Sequence, residues 1–129
     1  MSIRSICKIF VVITVGFLLG CATVPVYNVE SRAIVSNKPV TAKDVEGAIV
    51  RAGAALGWQM VPKGPGSMEG TLVLRTHRAV VDVNYDAKNY SIKYKDSEDL
   101  KYDGTNIHKN YNGWIQNLEK GISTQLSLP

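Results

Sequence analysis

The sequence predicts an α+β domain in two layers, a four-stranded antiparallel meander with two helices on one face, in the order α-β-β-β-β-α. Three observations lead there. Segments near Thr41 and near Leu126 repeat apolar residues at helical spacing. Four stretches between them alternate apolar and polar residues, the pattern of strands with one buried face. Short connections join these stretches, as antiparallel neighbours require. Two amphipathic helices and one half-buried sheet can hide their apolar faces only against each other.

The first helix starts after Pro39. Thr41 is placed to cap the free amides, and Asp44 sits near the positive helix end. Val40 and Val45 take the two positions of a hydrophobic staple. Val45, Ala48, Ile49, Ala52 and Leu56 form one stripe, and Gly57 closes the helix with a left-handed residue. Gly47, Gly53, Ala54 and Ala55 add small residues that let a neighbouring element come close.

Trp58–Val61 reads as the first strand, ending at Pro62 and a loop over Lys63–Gly66. Met68, Gly70, Leu72 and Leu74 give the inner face of the second, and Val81, Val83 and Tyr85 that of the third. Tyr90, Ile92 and Tyr94 give that of the fourth. A loop over Asp86–Asn89 pairs Tyr85 with Tyr90, Val83 with Ile92 and Val81 with Tyr94, and sets Asp82 opposite Lys93 on the outer face. A one-residue slip would turn every inner residue to solvent. A two-residue turn at His77-Arg78 would pair Leu74 with Val81 and leave Val80 between Arg75 and Lys95. Neither turn residue takes positive φ readily, so a bulge or longer turn is the alternative. Asp96–Asp99 reads as a solvated turn, followed by a polar loop through Asn106. The last helix runs from about His108 to Leu126 on Tyr111, Trp114, Ile115, Leu118, Ile122 and Leu126.

Ahead of this domain, Arg4 and Lys8 precede an apolar run from Ile9 to Leu19 and then Leu18-Leu19-Gly20-Cys21. A basic start, an apolar stretch and a small-residue cleavage site make an export signal. The run falls well short of the roughly 20 apolar residues needed to span a bilayer. The segment resembles a bacterial lipoprotein signal, cut between Gly20 and Cys21. That resemblance implies a Cys21 carrying a diacylglyceryl thioether and an N-acyl chain. Ala22, where lipoproteins retained in the inner membrane often have Asp, implies the outer membrane with the domain facing the periplasm. The expected organisation is a signal peptide over 1–20, a lipidated tether over 21–38 and one periplasmic domain over 39–129. Alternation around Tyr27, Val29, Ser31, Ala33 and Val35 makes the tether either an edge strand or a spacer.

Cleavage changes the composition. The 129-residue chain has 15 basic and 11 acidic residues, and losing Arg4 and Lys8 lowers its net charge from +4 to +2. No basic-aromatic cluster marks a nucleic-acid partner. Cys7 leaves with the signal and Cys21 is acylated, so the mature chain forms no internal disulfide.

Candidate chemistry is sparse. His77 and His108 are the only histidines, and zinc wants three or four ligands, so no metal site is expected. Ser67, Ser91, Ser97 and Ser123 lack a nucleophile elbow, and Gly64-Pro65-Gly66 lacks the Lys-Ser/Thr of a phosphate loop. No catalytic constellation and no cofactor site is predicted. The expected function is a non-enzymatic envelope interaction or scaffold module with a protein partner, held to the membrane by its anchor. The alternative is a lipid- or glycan-binding pocket lined by Trp58, Tyr90, Tyr94, Tyr111 and Trp114, and a small hydrolase ranks third.

Four stretches can be taken together: Ala55–Trp58, Leu74–Arg78, Tyr90–Tyr94 and Ile107–Ile115. As a set they resemble a family of small proteobacterial lipoproteins without assigned function, over nearly all of the mature chain. The resemblance implies a shared fold and supplies no activity. Cys21 is the one chemically modified residue it names.

Overall fold

The computed structural model describes residues 23–129. Gly20, Cys21 and the whole signal segment therefore lie outside the described residues. In chain order the elements are β1 (Thr23–Pro25), β2 (Val29–Ala33), α1 (Ala42–Ala55), β3 (Gln59–Gly64) and β4 (Ser67–Leu74). β5 (His77–Tyr85), β6 (Asn89–Glu98), β7 (Asn106–His108) and α2 (Lys109–Leu126) follow. The fold is α+β, with two helices, a five-stranded antiparallel sheet in the order β2-β6-β5-β4-β3, and a two-stranded sheet of β1 and β7. The four expected strands form the meander β3 to β6, and β2 extends it at the β6 edge.

Helix α1 forms where its end signals place it. Thr41 Oγ1 accepts from the Asp44 amide at 3.1 Å, and an Asp44 carboxylate oxygen accepts from the Thr41 amide at 2.9 Å. This reciprocal pair satisfies amides that the first helical turn leaves free. At the other end Gly57 has φ +90, the Trp58 amide donates to Gly53 O and the Gly57 amide to Ala54 O. Those two bonds are the Schellman pattern, which needs a left-handed residue between them. Leu56 ends at the cap, 40% exposed, and leaves the stripe to Val45, Ala48, Ile49 and Ala52.

Small residues set how closely the layers approach. A Cβ at Gly53 would stand 2.5 Å from Met60 Cγ, and one at Gly70 would stand 2.9 Å from Met60 Sδ. Met60 therefore lies in a slot between α1 and β4 that two glycines keep open. A Cβ at Gly121 would lie 3.4 Å from the Ala52 Cβ, so α1 and α2 also meet through small residues. The helices run antiparallel, with Gly121 against Ala52 and Gln125 bonded to Arg51. Tyr111, Ile115, Leu118 and Ile122 of α2 and Val45, Ile49 of α1 join Met68, Val81, Val83 and Ile92 in one core. Trp114, expected in the stripe, is only half-buried beside it.

The β5–β6 register is the expected one: Tyr85 opposite Tyr90, Val83 opposite Ile92, Val81 opposite Tyr94 and Asp82 opposite Lys93. Asp82 nevertheless pairs with Lys95 at 3.7 Å, while Lys93 reaches Glu30 of β2. The β4–β5 turn departs from expectation. It sits at Arg75-Thr76, two residues early, so Leu74 faces His77 and Gly70 faces Val81. An even shift keeps every side chain on its own face, so the core survives. Leu74, at the end of β4, is left 47% exposed. Val80 stands between Thr71 and Asp96 rather than between Arg75 and Lys95, because a bulge follows it. Asp96 to Glu98 continue β6 instead of turning, and both acids bind Arg78.

The segment expected as a tether over 21–38 is, from Thr23 on, part of the fold. Val29 is 2% exposed inside the core, and β2 pairs with β6 as the edge-strand alternative requires. Helix α2 clasps this segment. The Tyr27 amide donates to Asn112 Oδ1 at 2.9 Å, and Asn112 Nδ2 donates back to Pro25 O at 2.8 Å. Tyr27 OH donates to Glu119 at 2.7 Å, and Glu119 also pairs with Arg32. Three-residue β1 and β7 carry little pattern of their own. They exist because this clasp brings them together.

Several turns and caps rest on carboxylates. Asp86 accepts from the Lys88 and Asn89 amides, Asp103 from those of Asn106 and Thr105, and Asp44 from that of Thr41. These bonds hold all three below the ordinary Asp value of 3.8. A carboxylate whose folded value is depressed stabilises the fold fully above its unfolded value and loses that contribution as pH falls through the folded one. Thermal melts should therefore be flat from neutrality to about pH 5 and fall steeply below about pH 4. A melting temperature unchanged to pH 3 would contradict these bonds.

Candidate functional site

The two histidines, distant in sequence, meet at one end of the fold. β5 starts there with His77, and β7 ends there with His108, which caps α2. Their ring centroids are 6.4 Å apart, and Trp114, one turn into α2, lies 6.3 Å from His77. The loop after β6 adds Asp99, and β1 enters beside them, since Thr23 is the partner of His108.

The hydrogen bonds assign each ring a role. His77 Nδ1 lies 2.6 Å from Asp99 O, a carbonyl that can only accept, so Nδ1 carries a proton. The Asp99 carboxylate stands 3.3 Å from the same nitrogen and also accepts from Thr76. His108 Nδ1 accepts the Asn110 amide at 3.1 Å, which puts that ring's proton on Nε2. One imidazole is fixed by a turn and the other is used as a helix cap. Thr76 donates its hydroxyl to Asp99 rather than to an imidazole, which ties the β4–β5 turn to the loop after β6.

Of the serines, Ser97 faces Ala79 near this end and bonds to Tyr94 at 2.7 Å, while Ser67, Ser91 and Ser123 sit in the half of the fold away from the histidines. Among the described residues, no three of His, Cys, Asp and Glu are grouped to hold a metal ion. Trp58, Tyr90 and Tyr111 are core residues, so their rings fill the interior instead of lining a hollow. Tyr94 is sandwiched, stacked on Tyr102 at 4.0 Å and edge-on to Tyr111 at 5.8 Å. Burial pushes the Tyr111 hydroxyl far above the ordinary tyrosine range, and pushes Tyr90 up to about 12.

Backbone strain collects at the histidine end. Arg75, Asp99 and Lys101 have φ of 58, 57 and 56, all in the left-handed region. Arg75 is the first central residue of a two-residue hairpin turn, where positive φ at that position alone is ordinarily supplied by glycine. A non-glycine residue so placed costs on the order of 1 kcal/mol or more. Arg75→Gly should therefore raise stability by about 1 kcal/mol, measured by urea unfolding. A loss of stability would show that the arginine side chain contributes contacts to the fold that outweigh its strain. Sequence reading missed this feature because nothing in Arg75-Thr76 signals a turn.

No family model matches this chain, and neither a curated protein nor a solved structure shows significant similarity to it.

Proposed function

We propose that this protein is a bacterial envelope lipoprotein of the kind its sequence resembles. It is cut after Gly20, acylated on Cys21, held at the outer membrane facing the periplasm, and acts without catalysis as an interaction module for an envelope protein. The observation that carries the reading is Leu18-Leu19-Gly20-Cys21 at the end of a short apolar run. Its position fits a short anchor, because the first strand, β1, starts at Thr23, two residues along the chain from Cys21. The histidine end supports a non-catalytic role, since its hydroxyl, its carboxylate and the Nδ1 of each imidazole are engaged in loop contacts and a helix cap.

Mass spectrometry of the mature protein, isolated from its membranes, tests the anchor. The expected N-terminal residue is Cys21 bearing a thioether diacylglycerol and an amide-linked acyl chain. A free Cys21 thiol, or a first residue other than Cys21, would refute the assignment. Crosslinking in intact cells tests the rest: one recurrent protein partner is expected, and copurified lipid or glycan alone would overturn the interaction module.

A further inference from the structure

We propose that the histidine end of the fold lies on the lipid headgroups of the membrane that holds the anchor. The inference rests on the acylation of Cys21 proposed above. Two residue steps separate Cys21 from Thr23, at most about 7 Å of extended chain. Thr23 belongs to a strand paired with β7, so no slack remains between an acylated Cys21 and the folded body. Whatever surrounds Thr23 must then face the bilayer.

What surrounds it has the chemistry of an interface. Arg75, Lys101 and Lys109 are exposed there, and among the described residues none of the three makes an ion pair. Arg78, slightly further along β5, is by contrast tied to Asp96 and Glu98. Leu74 is half exposed opposite His77, and Trp114 is half buried beside it. Cations, an indole and an exposed leucine on one end match a headgroup layer, where lysine and arginine meet anionic lipid and tryptophan sits at the boundary.

The opposite end supplies the control. Lys88 lies in the β5–β6 turn, at the far end of β5 from Arg75. In the acylated mature protein the Cys21 thiol is consumed, so one introduced cysteine takes a fluorescent label alone. Asn110→Cys and Lys88→Cys are exposed positions that leave the core and the cations of the histidine end intact. Each labelled protein is placed in phosphatidylethanolamine–phosphatidylglycerol vesicles containing lipids brominated near the headgroup. The label at 110 should be quenched and the label at 88 should not. Charge reversal at Arg75, Lys101 or Lys109 should each lower the docked-to-free ratio at least about fivefold. Raised salt should act in the same direction.

The outcomes separate this inference from its premise. If mass spectrometry finds Cys21 unacylated, the anchor and the orientation fall together. If Cys21 is acylated and position 110 stays unquenched, the orientation alone is overturned. A label at 110 that is shielded in cells but not by vesicles would assign this end to a protein and likewise overturn it.

Discussion

Leu118→Ala should lower the melting temperature of the domain by about 10–20 °C. Leu118 is fully buried on α2 between the turns that carry Ile115 and Ile122, and it belongs to the core shared with α1 and the sheet. Removing three carbons there loses their transfer energy and leaves a cavity, together about 2–5 kcal/mol. A domain of this size has about 5–15 kcal/mol in all, so the loss is a large share. Leu128→Ala, at a half-exposed position past the helix, is the control and should shift stability by under about 0.5 kcal/mol. Equal melting curves for Leu118→Ala and the parent protein would place the α2 stripe outside the core.

Cys21→Ser should abolish the proposed acylation and leave a precursor that retains residues 1–20. The thioether needs a thiolate nucleophile, and a serine hydroxyl is not one at neutral pH. With cleavage blocked, the short apolar run is the one remaining hold on the membrane. A single acyl chain binds only marginally and two or more bind stably, so the contrast with the native protein should be plain. Intact mass decides the matter: the variant should be heavier by the signal segment and lack the lipid. A variant that is cleaved and retained like the parent would overturn the anchor.

The parts of the fold that could be read from the sequence are those whose signals are local. Thr41, Asp44 and Gly57 mark α1 because capping is decided within a few residues of the helix end. The β5–β6 register was legible because only one pairing keeps Val83 and Ile92 inside together. The β4–β5 turn was not, since its position is imposed by the sheet on an arginine that would avoid that conformation alone. β1 and β7 gave no pattern because three residues contain too little alternation, and their pairing depends on Asn112 and Glu119 far along the chain. The candidate site failed to show for the same reason. His77 and His108 belong to different layers, and their proximity is a product of the whole fold.

The clasp between Tyr27 and α2 also bears on the order in which the molecule assembles. Its bonds to Asn112 and Glu119 span 85 and 92 positions. Contacts so remote in sequence slow folding, because the intervening chain must be confined before they form. The hairpins of β3 to β6 close locally, whereas β2 must wait for β6, β1 for β7 and the clasp for α2. A nascent chain therefore keeps its first strands unpaired until most of it has been synthesised. If the chain is exported as proposed above, that delay would keep its leading end free to enter the translocation channel.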